Sequence, residues 1–85
     1  MTREEKEIIF QTAYIRRKDA VYWWKKYNEF PENDIFFDSW RAKESRYLVI
    51  KEIIDKLDLH REFMEYILKK KKLEGENINA NVGSF

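Results

Sequence analysis

The passage Val21-Tyr22-Trp23-Trp24, followed by Phe30-Pro31-Glu32-Asn33-Asp34 and then by Trp40, decides the fold of this chain. Pro31 is the only proline in the sequence. Its ring pushes the preceding residue out of helical geometry, so a helix arriving from upstream ends at about Phe30. Asn33 or Asp34 has the short polar side chain that caps the start of the next helix. The three tryptophans on either side of this turn mark the aromatic end of a helical hairpin.

Upstream, residues 3–30 contain neither Gly nor Pro, and apolar residues recur at helical spacing. Thr2 is the expected N-cap, and Glu4, Glu5 and Glu7 place negative charge where the helix dipole favours it. The main stripe of this first helix is Ile9, Ala13, Arg16, Ala20, Trp23, Tyr27 and Phe30. Downstream, a second helix over about 34–57 carries Phe36, Trp40, Lys43, Tyr47, Ile50, Ile54 and Leu57, although Asp38 or Ser39 is an alternative starting cap. Running the two stripes antiparallel sets Tyr27 opposite Phe36, Trp23 opposite Trp40, Ala20 opposite Lys43, Arg16 opposite Tyr47, Ala13 opposite Ile50 and Ile9 opposite Ile54. Small residues then alternate with large ones, as interdigitating layers require. Trp23 and Trp40 are expected in the core. Arg16 is expected over the Tyr47 ring or paired with Glu44.

Each helix also carries a second stripe: Ile8, Ile15 and Tyr22 on the first, and Ile35, Ala42, Val49 and Ile53 on the second. A hairpin buries one face of each helix, so these stripes need a cover. Either the remaining segment folds back over them, or a second copy of the hairpin completes a four-helix bundle.

That segment, about 59–73, has Leu59, Phe63, Tyr66, Ile67 and Lys70 on one side, with Met64 and Leu68 nearby. Its apolar side is about half a turn out of phase with the second helix, which implies a break near Asp58 and a cap there. Lys69 to Lys72 close the helix at the end where positive charge is favoured. From Glu74 onward no periodicity remains, so a single helical domain over 1–73 followed by a disordered tail over 74–85 is expected.

Composition narrows the function. The chain has 85 residues, enough for one domain near the lower limit of a self-supporting core. It has no cysteine, which excludes disulfides, thiolate metal sites and a thiol nucleophile. Aromatic residues make up 16%, so the core can be dense although 39% of residues are charged. A net charge of +1 gives no global attraction to nucleic acid or anionic membrane. No apolar run spans a bilayer, and the charged N-terminus lacks the apolar segment of a signal peptide, so a cytoplasmic location is expected.

Chemistry-bearing motifs are missing. His60, the one histidine, has no ligand partner at Glu-x-x-His or His-x-x-x-His spacing and reads as a structural or surface residue. No carboxylates face each other across the seams, and Glu52 with Lys56 or Glu65 with Lys69 read as surface pairs along a helix. Gly75 and Gly83 lie in the tail, so there is no phosphate-binding loop. No enzyme activity and no cofactor are expected.

The expectation is therefore a non-enzymatic, all-α interaction protein of adaptor or inhibitor type. It self-associates as a homodimer through Ile8, Ile15, Tyr22, Ile35, Ala42, Val49 and Ile53, and binds another macromolecule, expected to be a protein. By fold-level analogy alone, such proteins are frequent in mobile elements. Trp24, beside the seam, is either buried under the third helix or part of an interface. The alternative function is association with nucleic acid through a basic third helix, Lys69, Lys70, Lys71 and Lys72, together with Arg17, Lys18 and Lys25. In that reading Tyr14, Lys18, Val21 and Lys25 form one strip along the first helix.

Overall fold

A computed structural model describes the backbone of residues 1–82 and the side chains of residues 1–74. Three helices follow in order: α1 (Arg3–Glu29), α2 (Asp34–Lys56) and α3 (His60–Val82). Among the described residues there is no strand, and no helix is long and apolar enough to cross a membrane.

Local chemistry sets the helix ends. Thr2 caps α1 in a reciprocal box: its hydroxyl accepts from the Glu5 N–H at 3.1 Å, while the Glu5 carboxylate accepts from the Thr2 N–H at 3.2 Å. Asn33 caps α2, its side-chain oxygen accepting from the N–H groups of Ile35 and Phe36 at 3.0 and 3.3 Å. The second helix thus starts at the turn and not at Asp38 or Ser39.

The break near Asp58 is real, but Asp58 does not cap α3. It terminates α2 in the left-handed region, with φ 57°. The Asp58 N–H donates to the Asp55 carbonyl at 3.1 Å, and the Leu59 N–H donates to the Ile54 carbonyl at 3.0 Å. This pair of bonds is the Schellman arrangement, in which the residue after the left-handed one packs against the last turn of the helix. Leu59 and Ile54 are that hydrophobic pair, and both are buried. Leu59 is then the residue before α3, and its carbonyl accepts from the Phe63 N–H at 2.9 Å.

α3 also runs further than its periodicity suggests, past Leu73 to Val82. Nothing between Glu74 and Val82 forbids helix: one Gly costs about 1 kcal/mol and no Pro occurs, so each added residue still gains its backbone bond. The helix thus runs to Val82 into the stretch expected as a tail, and residues 83–85 lie outside the described residues.

The antiparallel pairing of α1 and α2 matches the alignment of the two seams. Tyr27 stacks on Trp40 with ring centroids 5.9 Å apart, and Trp23 meets Phe36 at 5.8 Å. Each ring lies one turn from its expected partner because the side chains interleave between layers instead of meeting head on. Trp23 and Trp40 are only partly buried, contrary to the core position expected for them. Arg16 neither covers Tyr47 nor pairs with Glu44; its guanidinium donates to the Arg46 carbonyl at 3.2 Å.

The closed core lies at the open end of the hairpin. Phe10, Ala13, Tyr14, Ile50, Ile54, Leu59, Phe63 and Ile67 form it, with Ile9, Tyr47, Met64 and Tyr66 packed around it. Phe63 and Ile54 are fully buried, which is worth about 1.5–3 kcal/mol for each side chain. α3 therefore packs against its own hairpin. It rests on Phe10 and Tyr14, which belong to neither of the stripes read from the sequence.

Candidate functional site

The two seams divide the hairpin into two faces. Ile8, Ile15 and Tyr22 each precede a seam residue of α1, and Ile35, Ala42, Val49 and Ile53 each precede a seam residue of α2. One step back along a helix is a rotation of 100°. In α2 both the chain direction and the seam direction are reversed relative to α1, and the two reversals cancel. Both second stripes therefore emerge on the same face. Residues that follow the seam, such as Phe10, Tyr14, Val21, Trp24, Leu48 and Lys51, emerge on the other.

α3 occupies the second of these faces. Besides covering Phe10 and Tyr14, it ties itself there by polar contacts: Lys6 to Glu62 at 3.1 Å, and Lys51 to His60 Nδ1 at 2.9 Å. α3, one of the two covers that the sequence leaves open for the second stripes, thus does not lie over them. The Schellman turn sends it to the opposite side.

The first face stays bare. Its six large residues are between 46% (Ile53) and 72% (Ile35) exposed, and Ala42 is exposed beside them. At 1.5 Å per residue the stripe extends about 21 Å along α1 and about 27 Å along α2.

The basic residues fall into distinct settings. Arg17, Lys18, Val21, Tyr22 and Lys25 of α1 line a cleft of about 430 Å³ with Lys71 of α3; Tyr14 and Glu74 also line it. Tyr14 is buried, which removes it from the surface strip in which the sequence places it. Its hydroxyl donates to Glu74 Oε2 at 2.6 Å, and Lys18 Nζ reaches Glu74 Oε1 at 2.8 Å. Burial and the bond to this carboxylate push the Tyr14 phenol up to about 12. The hydrogen bonds from Lys18 and Tyr14 hold the Glu74 carboxyl below its ordinary range. Of the other lysines in the run, Lys70 lies over the Tyr66 ring at 5.5 Å, Lys69 lines a separate cleft near Arg3 and Lys6, and Lys72 is exposed.

Trp24 is not under α3. It is 49% exposed and lines a groove of about 260 Å³ with Ala20, Trp40 and Tyr47, where the hairpin continues beyond the reach of α3. A wider hollow at the turn is lined by Phe30, Pro31 and Ile35 together with Glu29, Glu32, Asn33 and Asp34.

His60 sits in an exposed cluster with Lys51 and Asp55, its Nδ1 3.5 Å from the Asp55 carboxylate. Hydrogen bonding from Lys51 holds the Asp55 carboxyl low. Glu52 and Lys56 form the expected surface pair at 3.2 Å, whereas Glu65 and Lys69 form none among the described residues. Among those residues no group of three His, Cys, Asp or Glu side chains is placed to hold a metal ion.

Periodicity alone misses Phe10 and Tyr14 as the seat of α3. A signal for them exists: two aromatic residues at i and i+4 beside the seam are neighbours on one helix face. Compared with family models, curated proteins and solved structures, the chain finds no match in any of the three.

Proposed function

We propose that this chain is a small, non-enzymatic, cytoplasmic interaction protein that works as a homodimer. Two hairpins pack bare face to bare face as a four-helix bundle, with one α3 on each outer side, and the outer surfaces bind another macromolecule. The observation that supports this reading is the bare face itself: Ile8, Ile15, Tyr22, Ile35, Val49 and Ile53 are exposed together, opposite the face that α3 covers. Monomers rarely expose contiguous apolar patches larger than a few hundred Å². A second copy is the occupant that matches this face in length, because the face is itself a pair of helices with the same two stripes.

Light scattering across a concentration series tests the reading. The expected mass is twice 10.6 kDa, falling to the monomer value in Ile15→Glu and Val49→Glu variants that keep their helical content. A wild-type chain that stays monomeric at every concentration would overturn it.

A further inference from the structure

We propose that the cleft between the outer flank of α1 and the middle of α3 binds single-stranded nucleic acid, with Arg17, Lys25 and Lys71 on its phosphates. The argument begins with charge that the fold leaves over. Among the described residues Glu74 is the only carboxylate lining the cleft, and it is already engaged by the Tyr14 hydroxyl and Lys18. Arg17, Lys25 and Lys71 line the same cleft and have no carboxylate within ion-pair distance among the described residues. These cations come from two helices that are remote in sequence. Their convergence is a product of how α3 crosses α1.

Spacing and lining favour a nucleic-acid strand over a single small anion. Arg17 and Lys25 are about 12 Å apart along α1, the length of three to four phosphates in a stacked strand at about 3.4 Å each. Between them the cleft presents the exposed Val21 as an apolar surface for bases. With a net charge of only +1, the chain has no general attraction that would obscure this local site.

The test uses the full chain and a labelled oligothymidylate, read by fluorescence anisotropy. Three phosphate contacts predict a log–log salt slope of about −2, so affinity should fall about 20-fold between 50 and 200 mM salt. Arg17→Gln combined with Lys71→Gln should weaken binding at least tenfold and flatten the slope. Lys56→Gln, equal in charge change to either single substitution but remote from the cleft, should leave both unchanged. Absence of binding at 50 mM salt would overturn the proposal. So would equal binding of a duplex or of polyglutamate, or a loss with Lys56→Gln as large as that in the cleft variant. The substituted positions lie off the bare hairpin face, so the mass of the cleft variant separates failure here from failure of the dimer.

Discussion

At the open end of the hairpin, Phe10, Ala13, Tyr14, Ile50 and Ile54 meet Leu59, Phe63 and Ile67, and all are at most 9% exposed. At the turn end, Trp23, Tyr27, Phe30, Phe36, Phe37 and Trp40 touch ring to ring, and none of them is buried. The turn end holds more aromatic surface, yet the open end holds the core. Two helices enclose only the line along which they touch, and large rings on that line still show an edge to water on both sides. A third helix closes one of those sides. Apolar content is therefore a poor guide to burial in so thin a molecule; the number of elements meeting at a point decides it.

The largest expected effect tests this contrast directly. Phe63→Ala removes a fully buried ring from the three-helix junction and should cost about 3–5 kcal/mol in urea unfolding. Trp23→Ala, at the turn end, deletes a larger ring that is only partly buried and should cost roughly half as much. Equal losses would mean that the turn end is as closed as the open end.

The next prediction concerns the bare face. If it is a self-interface, the thermal midpoint rises with protein concentration, because association stabilises only the folded chain. Ile15→Glu should abolish that dependence. A midpoint independent of concentration in the wild type would leave the hairpin with one core and no second.

A smaller effect belongs to the clasp between α1 and α3. Tyr14→Phe removes the donor to Glu74 and should cost about 1 kcal/mol. The pH dependence has two arms. The folded state raises the Tyr14 phenol from 10.0 to about 12, so its contribution is present below pH 10 and lost as pH rises toward 12. The folded state lowers the Glu74 carboxyl from 4.5, so that contribution is present above pH 4.5 and lost as pH falls through the lowered value. The Phe variant should show no alkaline loss of stability from this site, read by unfolding at pH 9 and 11.

The smallest is a gain. Asp58 holds a left-handed backbone where a Cβ is unfavourable, and Asp58→Gly should stabilise the chain by about 0.5–1 kcal/mol without altering the core. A loss instead would show that the Asp58 side chain holds the turn.

Much of the hairpin is legible in the sequence. Thr2, Pro31 and Asn33 mark boundaries because capping and proline sterics act within a few residues. Alternating steps of four and three name Ile9, Ala13, Ile50 and Ile54 as facing positions, because such a stripe requires a partner. The candidate surfaces are legible in part. Ile8, Ile15, Val49 and Ile53 stand out as surplus, but nothing in their order along the chain puts Arg17, Lys25 and Lys71 in one cleft or assigns Lys18 to Glu74. Tyr14 reads as a surface residue because its neighbours at helical spacing, Lys18 and Lys25, are charged.

Short-range periodicity and capping are enough to define the first two helices, their antiparallel register and the existence of two leftover stripes. Which side of the hairpin α3 covers is a matter of tertiary structure alone, since both sides carry apolar residues enough to receive it. The choice follows from the direction in which the chain leaves α2, set by one left-handed residue at Asp58 and the Schellman bonds around it. Helical periodicity has no way to encode that direction, because it repeats identically on whichever side the next helix falls.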